Sequence, residues 1–155
     1  MRAGVIVGVL GVLVGVCGPA VQAASSPVAI EAVTVEPQSP TAGVLCRLSV
    51  RVKNAGTRVA TSFRLKVRID GREEAPYANE VYAVNVDPAA AGTIGLYNFW
   101  SPSPAKASFK VEITLVEAQW AEVKREGKTT TTTPLGPVEG LPSTAERAVS
   151  MATGK

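Results

Sequence analysis

Apolar and polar residues alternate strictly along three segments of the chain. Cys46, Leu48, Val50 and Val52 alternate with Arg47, Ser49, Arg51 and Lys53. Phe63, Leu65, Val67 and Ile69 alternate with Arg64, Lys66 and Arg68, and Phe109, Val111, Ile113 and Leu115 with Lys110, Glu112 and Thr114. A period of two sends successive side chains to opposite faces of an extended chain, so each segment predicts a half-buried strand and no helix. Weaker strands fill the gaps. The β-branched run Val28 to Val35 ends before Pro37, Val81 to Val86 ends at Asp87-Pro88, and Thr93 to Trp100 ends at Ser101-Pro102. In the last of these the inward set is either Leu96 with Trp100 or Tyr97 with Phe99, and a bulge lets both contribute.

Turn residues fall between these runs. Pro37-Gln38-Ser39-Pro40 and Ala42-Gly43 separate the first two strands, Asn54-Ala55-Gly56-Thr57 reads as a turn, and Asp70-Gly71 closes the third strand. Glu117 to Gly127, with Trp120 and Val123 among charges, offers a last edge strand. The expectation is an all-β chain, an antiparallel β-sandwich of about seven strands over residues 24–126. Beyond it, residues 127–155 hold five consecutive threonines, Thr129 to Thr133, and a Pro/Gly-rich stretch. That composition buries little apolar surface against the entropy of ordering it, so a flexible tail is expected. Within it, Ser143-Thr144-Ala145-Glu146 matches a helix capping box and predicts a short helix over 143–152.

The first residues change the picture. Arg2 precedes an apolar run from Ala3 to Val16, Gly18-Pro19 interrupts it, and Val21-Gln22-Ala23 offers small or apolar residues where signal peptidase reads. That order predicts a secretory signal over residues 1–23, with cleavage leaving Ala24 to Lys155. The apolar run is short for a bilayer span, which needs about 20 residues, so no membrane span is expected after cleavage. Cys17 raises a lipid-anchor alternative, but Val16 stands where a lipobox has a small residue. The expected destination is the periplasm, the cell surface or the medium.

Charge and chemistry then narrow the roles. The formal net charge is +3, and loss of Arg2 lowers it by one. So small an excess gives no reason to expect nucleic acid. There is no histidine, which excludes Ser-His-Asp and Cys-His catalysis and His-based zinc. After cleavage Cys46 is the only cysteine, so the core holds the fold without an internal disulfide. Its phase turns it inward, as a small hydrophobe. Asp70, Glu73 and Glu74 crowd one turn, but Arg72 sits among them and a solvated hairpin tip is expected over a calcium site. Glu112 and Glu117 are five apart and so face opposite sides of a continuous strand, unlike a glycosidase pair. Trp100 and Trp120 are candidates for a ligand platform, against the usual place of Trp in a small sandwich, the core. No catalytic residue, cofactor or metal is expected. The candidate partner contact is the outward line Arg64, Lys66 and Arg68, spanning roughly 13 Å. It either pairs with acids such as Glu112 on a neighbouring strand or meets a protein or anionic envelope polymer.

Taken in order, several of these residues resemble the bacterial cell-adhesion-related domain, CARDB. They are Ile30 to Val35, Pro37-Gln38-Ser39-Pro40-Thr41-Ala42-Gly43, Val50 to Thr57, Phe63, Ile69-Asp70-Gly71, Phe99-Trp100 and the strand Phe109 to Leu115. The family usually has a Pro-Gly turn where this chain reads Asp87-Pro88-Ala89-Ala90-Ala91-Gly92, and it often ends in acidic residues and paired asparagines, which this chain lacks after Glu117. The resemblance implies an immunoglobulin-like sandwich outside the cytoplasm. It implies no reaction, since such domains serve as binding or spacer modules. The expected role is an exported, non-enzymatic binding or adhesion-type module, with an accessory subunit of an envelope assembly as the alternative.

Overall fold

The computed structural model describes residues 25–74, 80–104 and 106–153, the side chains of residues 94–97 aside. The expected signal segment, residues 1–23, and Cys17 lie outside them. The described residues form nine strands and no helix: β1 (Val28–Glu36), β2 (Leu45–Asn54), β3 (Val59–Ile69), β4 (Arg72–Glu73), β5 (Val81–Tyr82), β6 (Ala91–Trp100), β7 (Ser108–Glu126), β8 (Thr129–Pro137) and β9 (Ser143–Ser150). They make two antiparallel sheets. One runs β1-β2-β6; the other runs β4-β3-β7-β8, with β5 also on β3 and β9 also on β7.

The alternating segments set the two inner faces. Cys46, Leu48, Val50 and Val52 of β2 face Phe63, Leu65, Val67 and Ile69 of β3 and Phe109, Val111, Ile113 and Leu115 of β7, all buried in one core. Phe99 of β6 and Phe109 of β7 meet across the sheets edge to face, with centroids 5.9 Å apart, a geometry the ring quadrupoles favour. Of the two phases open to the aromatic strand, Phe99 points inward and Trp100 outward.

The tail expected over 127–155 is a correction. Residues 129–137 pair with Gln119–Glu126 as β8, and residues 143–150 pair with Ser108–Leu115 as β9, where the helix was expected. The two strands follow one edge of the 19-residue β7 almost end to end. Val138, Val149 and Met151 enter the core, with Leu141 and Ala145 packed against it. A strand needs an apolar residue only at alternate positions and gains its backbone hydrogen bonds from its neighbour, so this polar stretch is ordered by β7. The capping-box Glu146 instead bonds Lys110 across the ladder at 3.0 Å.

Of the five one-residue register shifts among the described ladders, three reset the phase of β1, β3 and β7. The extra residue is Glu31 in β1; in β3 it lies near Ser62, whose φ is 55°; in β7 it is Val116. Each flips the inward set beyond it. Buried positions in β7 therefore shift from Leu115 to Ala118. Short pieces cover the outer edge of β3: β4 pairs at Arg68–Ile69, β5 at Phe63–Arg64, and Val86 bonds Ala60 in both directions. Covering an edge in this way removes a template for unwanted strand pairing.

Candidate functional site

The line Arg64, Lys66 and Arg68 lies on the outward face of β3, as its alternation requires. The neighbouring strands bring carboxylates to it from both sides. Arg64 stands opposite Glu117 and Arg68 opposite Glu112 on β7, while Glu73 on β4 is the other partner of Arg68. The Arg68–Glu112 pair closes at 3.5 Å and Arg64–Glu117 at 3.4 Å. The second is off-angle for a hydrogen bond at the guanidinium Nε, so its attraction is Coulombic. Glu112 and Glu117 share this face, against the expectation of opposite sides, because the bulge at Val116 lies between them. Further along, Lys110 bonds Glu146, whose carboxyl it holds below the usual range, and Thr114 pairs with Thr144 at 3.2 Å. Lys66 stands exposed between the two ion pairs. The face is a lattice of alternating charge, and a lattice of that kind projects little net field.

The remaining candidates separate cleanly. Cys46 is buried, its thiol pushed up by desolvation and only partly eased by the backbone at Ser101, so it is a poor nucleophile. Asp70 sits at a φ of 49° beside Gly71 at 77°, the left-handed pair that a two-residue hairpin between β3 and β4 requires. Its carboxylate accepts from Lys106 Nζ at 2.7 Å and from the Lys110 backbone N–H at 2.9 Å. These bonds, Lys106 first, draw its pKa down. No three carboxylate or thiol side chains stand together as a cation site among the described residues.

Trp120 lies over the Asn54–Arg58 turn at one end of the sandwich. A Cβ on Gly56 would come within 2.5 Å of its ring, so glycine is what lets the indole settle there. Its Nε1 donates to Glu139 at 3.3 Å. The turn is pegged by Asn54, fully buried, whose Nδ2 donates to Arg58 O at 2.8 Å and Val86 O at 2.9 Å while its Oδ1 accepts from Gly56 N–H.

Trp100 takes the outward one of the two phases that the sequence left open, away from the core where a tryptophan usually sits in a small sandwich. It is 69% exposed, and its cross-strand partner Leu45 is 51% exposed. Period-two alternation with Phe99 was the available signal: burying Phe99 turns its neighbour outward. Trp100 borders a cleft of about 440 Å³ at the end opposite Trp120, lined also by Ile69, Asp70, Arg72, Glu74, residues 101–103 and Lys106. Both walls are fixed. Ser101 donates its hydroxyl to Thr41 O at 2.6 Å, accepts from Val44 N–H at 2.9 Å, and bonds Val44 O through its own N–H. Across the cleft, Asp70 N–H donates to Lys110 O at 2.8 Å.

No family model matches the chain, and no curated protein does. Among solved structures it is similar to the CARDB domain of a Pyrococcus furiosus protein, solved in complex with di-metal ions. The identity is 18% over 81% of this chain and 87% of that one, with a TM-score of 0.48. It is also similar to a domain of a protein described as a cell surface protein from Methanosarcina acetivorans, at 15% identity over 72% of this chain and 92% of the other, TM-score 0.38. The likeness is one of fold. No helix among the described residues is long and apolar enough to cross a membrane.

Proposed function

We propose that the chain is an exported, non-enzymatic binding module that contacts envelope proteins or polymers through the Trp100 end of its sandwich. The exposed indole of Trp100, beside the exposed Leu45, carries this reading. The aliphatic and aromatic side chains of β2, β3 and β7 are otherwise mostly turned into the core. Tryptophan in a fixed, accessible position is the residue type that most often anchors a partner. Export is supported by the charged, apolar and small-residue order of positions 2–23. The absence of histidine and the commitment of Asp70 and Cys46 to structure support a role without catalysis. In the alternative of an accessory subunit, the Thr-rich stretch would tether the protein or dock on a partner, and Thr129–Thr133 pair with β7 within this chain.

The mature protein should be retained on envelope material, and Trp100→Ala should lower that retention about tenfold, the effect of losing roughly 1.4 kcal/mol. Lys66→Glu, at an exposed position of the basic line, should leave it unchanged. The reverse result would place the contact on the outward face of β3.

A further inference from the structure

The chemistry of the cleft beside Trp100 narrows the partner, provided that the Trp100 end is the binding end. We propose that this cleft takes a neutral sugar unit of an envelope glycan, stacked on the Trp100 indole. A sugar ring presents C–H groups on its flat face and hydroxyls around its rim. It therefore needs an exposed aromatic plane flanked by hydrogen-bonding groups, and the cleft supplies both. Trp100 gives the plane. Arg72 and Lys106 give donors, and the Glu74 carboxylate and the Ser103 hydroxyl give acceptors around it.

Charge balance sets the class of glycan. The lining holds two cations, Arg72 and Lys106, and two anions, Asp70 and Glu74. Lys106 is already tied to Asp70 at 2.7 Å. A lining with no net charge gives an anionic polymer no advantage over a neutral one. Size and shape argue in the same direction. A concave space of about 440 Å³ suits a small unit, whereas a protein partner of standard affinity covers a broader surface, about 800 Å² on each side. The bonds of Ser101 to Thr41 and Val44, and of Asp70 to Lys110, hold both walls before anything binds. Binding then orders little, as a weakly interacting sugar requires.

The test uses the mature protein and its own envelope material, treated before the protein is added. Periodate cleaves the vicinal diols of sugars, and a quenched periodate treatment should abolish retention; protease treatment should not. Neutral oligosaccharides released from the same material should compete and should shift the tryptophan emission of wild type but not of Trp100→Ala. Retention should be indifferent to salt. Loss after protease but not after periodate makes the partner a protein: the sugar assignment then fails while the Trp100 end survives as the contact. Loss at high salt makes the polymer anionic and overturns neutrality. Retention that Trp100→Ala leaves intact, or no retention by wild type, removes the binding end itself and the sugar with it.

Discussion

Asn54 pegs one end of the sandwich through three side-chain hydrogen bonds. It is fully buried and makes three bonds to two separate segments, the 55–58 turn through Gly56 and Arg58 and the 83–90 connection through Val86. Replacing it by Ala empties those bonds and strands part of the turn, so Asn54→Ala should lower stability by about 1–3 kcal/mol in calorimetry or denaturant melts. Asn54→Asp should be worse at neutral pH, where a carboxylate oxygen would face the carbonyls of Arg58 and Val86, and should recover as acid protonates it. Equal stability of the two variants across pH would mean that the amide donors do not matter. Asp70 gives the second residue-scale expectation. Its folded pKa is depressed by Lys106 and by the Lys110 N–H. Its contribution to stability is therefore full above its unfolded pKa, about 3.9, and is lost as pH falls through the lower folded value. Asp70→Asn keeps a residue that tolerates a positive φ but removes the charge. The variant should be slightly less stable than wild type at pH 7, and the two melting curves should converge in acid.

Among the elements, β7 organises the larger sheet. It gives one edge to β3 and the other to β8 and β9 in succession, and Val138 N–H bonds Ala118 O at the break between those two. A chain ended after Gly127 would expose that edge of β7 and remove Val138, Val149 and Met151 from the core. It should fail to fold cooperatively, and limited proteolysis of the intact protein should not stop at residue 127. A trimmed, stable core would show that β8 and β9 are dispensable. The alternation around Cys46, Phe63 and Phe109 made β2, β3 from Phe63 onward and the first half of β7 legible from sequence, since each buried set there follows period two without interruption. The second half of β7 was not legible, because the bulge at Val116 shifts the inward set by one and breaks the pattern. Strands β8 and β9 carry few apolar residues and draw their order from β7, whose paired residues lie from 3 positions earlier at Thr129↔Glu126 to 42 positions earlier at Ser150↔Ser108, a cause that local composition does not record. At the site, the positions of Arg64, Lys66 and Arg68 followed from phase alone, whereas their neutralisation depended on register with Glu112 and Glu117.

The described chain runs through the whole molecule from one end to the other. Val28 opens β1 beside Asn54, at the end that carries Trp120, while Ser150 closes β9 beside Ser108, and Ala152 N–H bonds Pro40 O at the end that carries Trp100. Whatever holds residue 25 therefore leaves the Trp100 cleft facing away from it. Strand β1 lies along β2 from Val28 to Glu36, and β9 lies along β7 from Ser143 to Ser150. A pull between the two ends loads both ladders lengthwise, and their hydrogen bonds resist together. A pull between Glu36 and Arg47, which are partners at one end of the β1–β2 ladder, opens the same bonds one after another. In single-molecule stretching, handles at the two ends should give the higher rupture force and handles at Glu36 and Arg47 the lower. Equal forces would mean that the ladders do not bear the load. Under the first geometry, the two ladders would share the tension in shear.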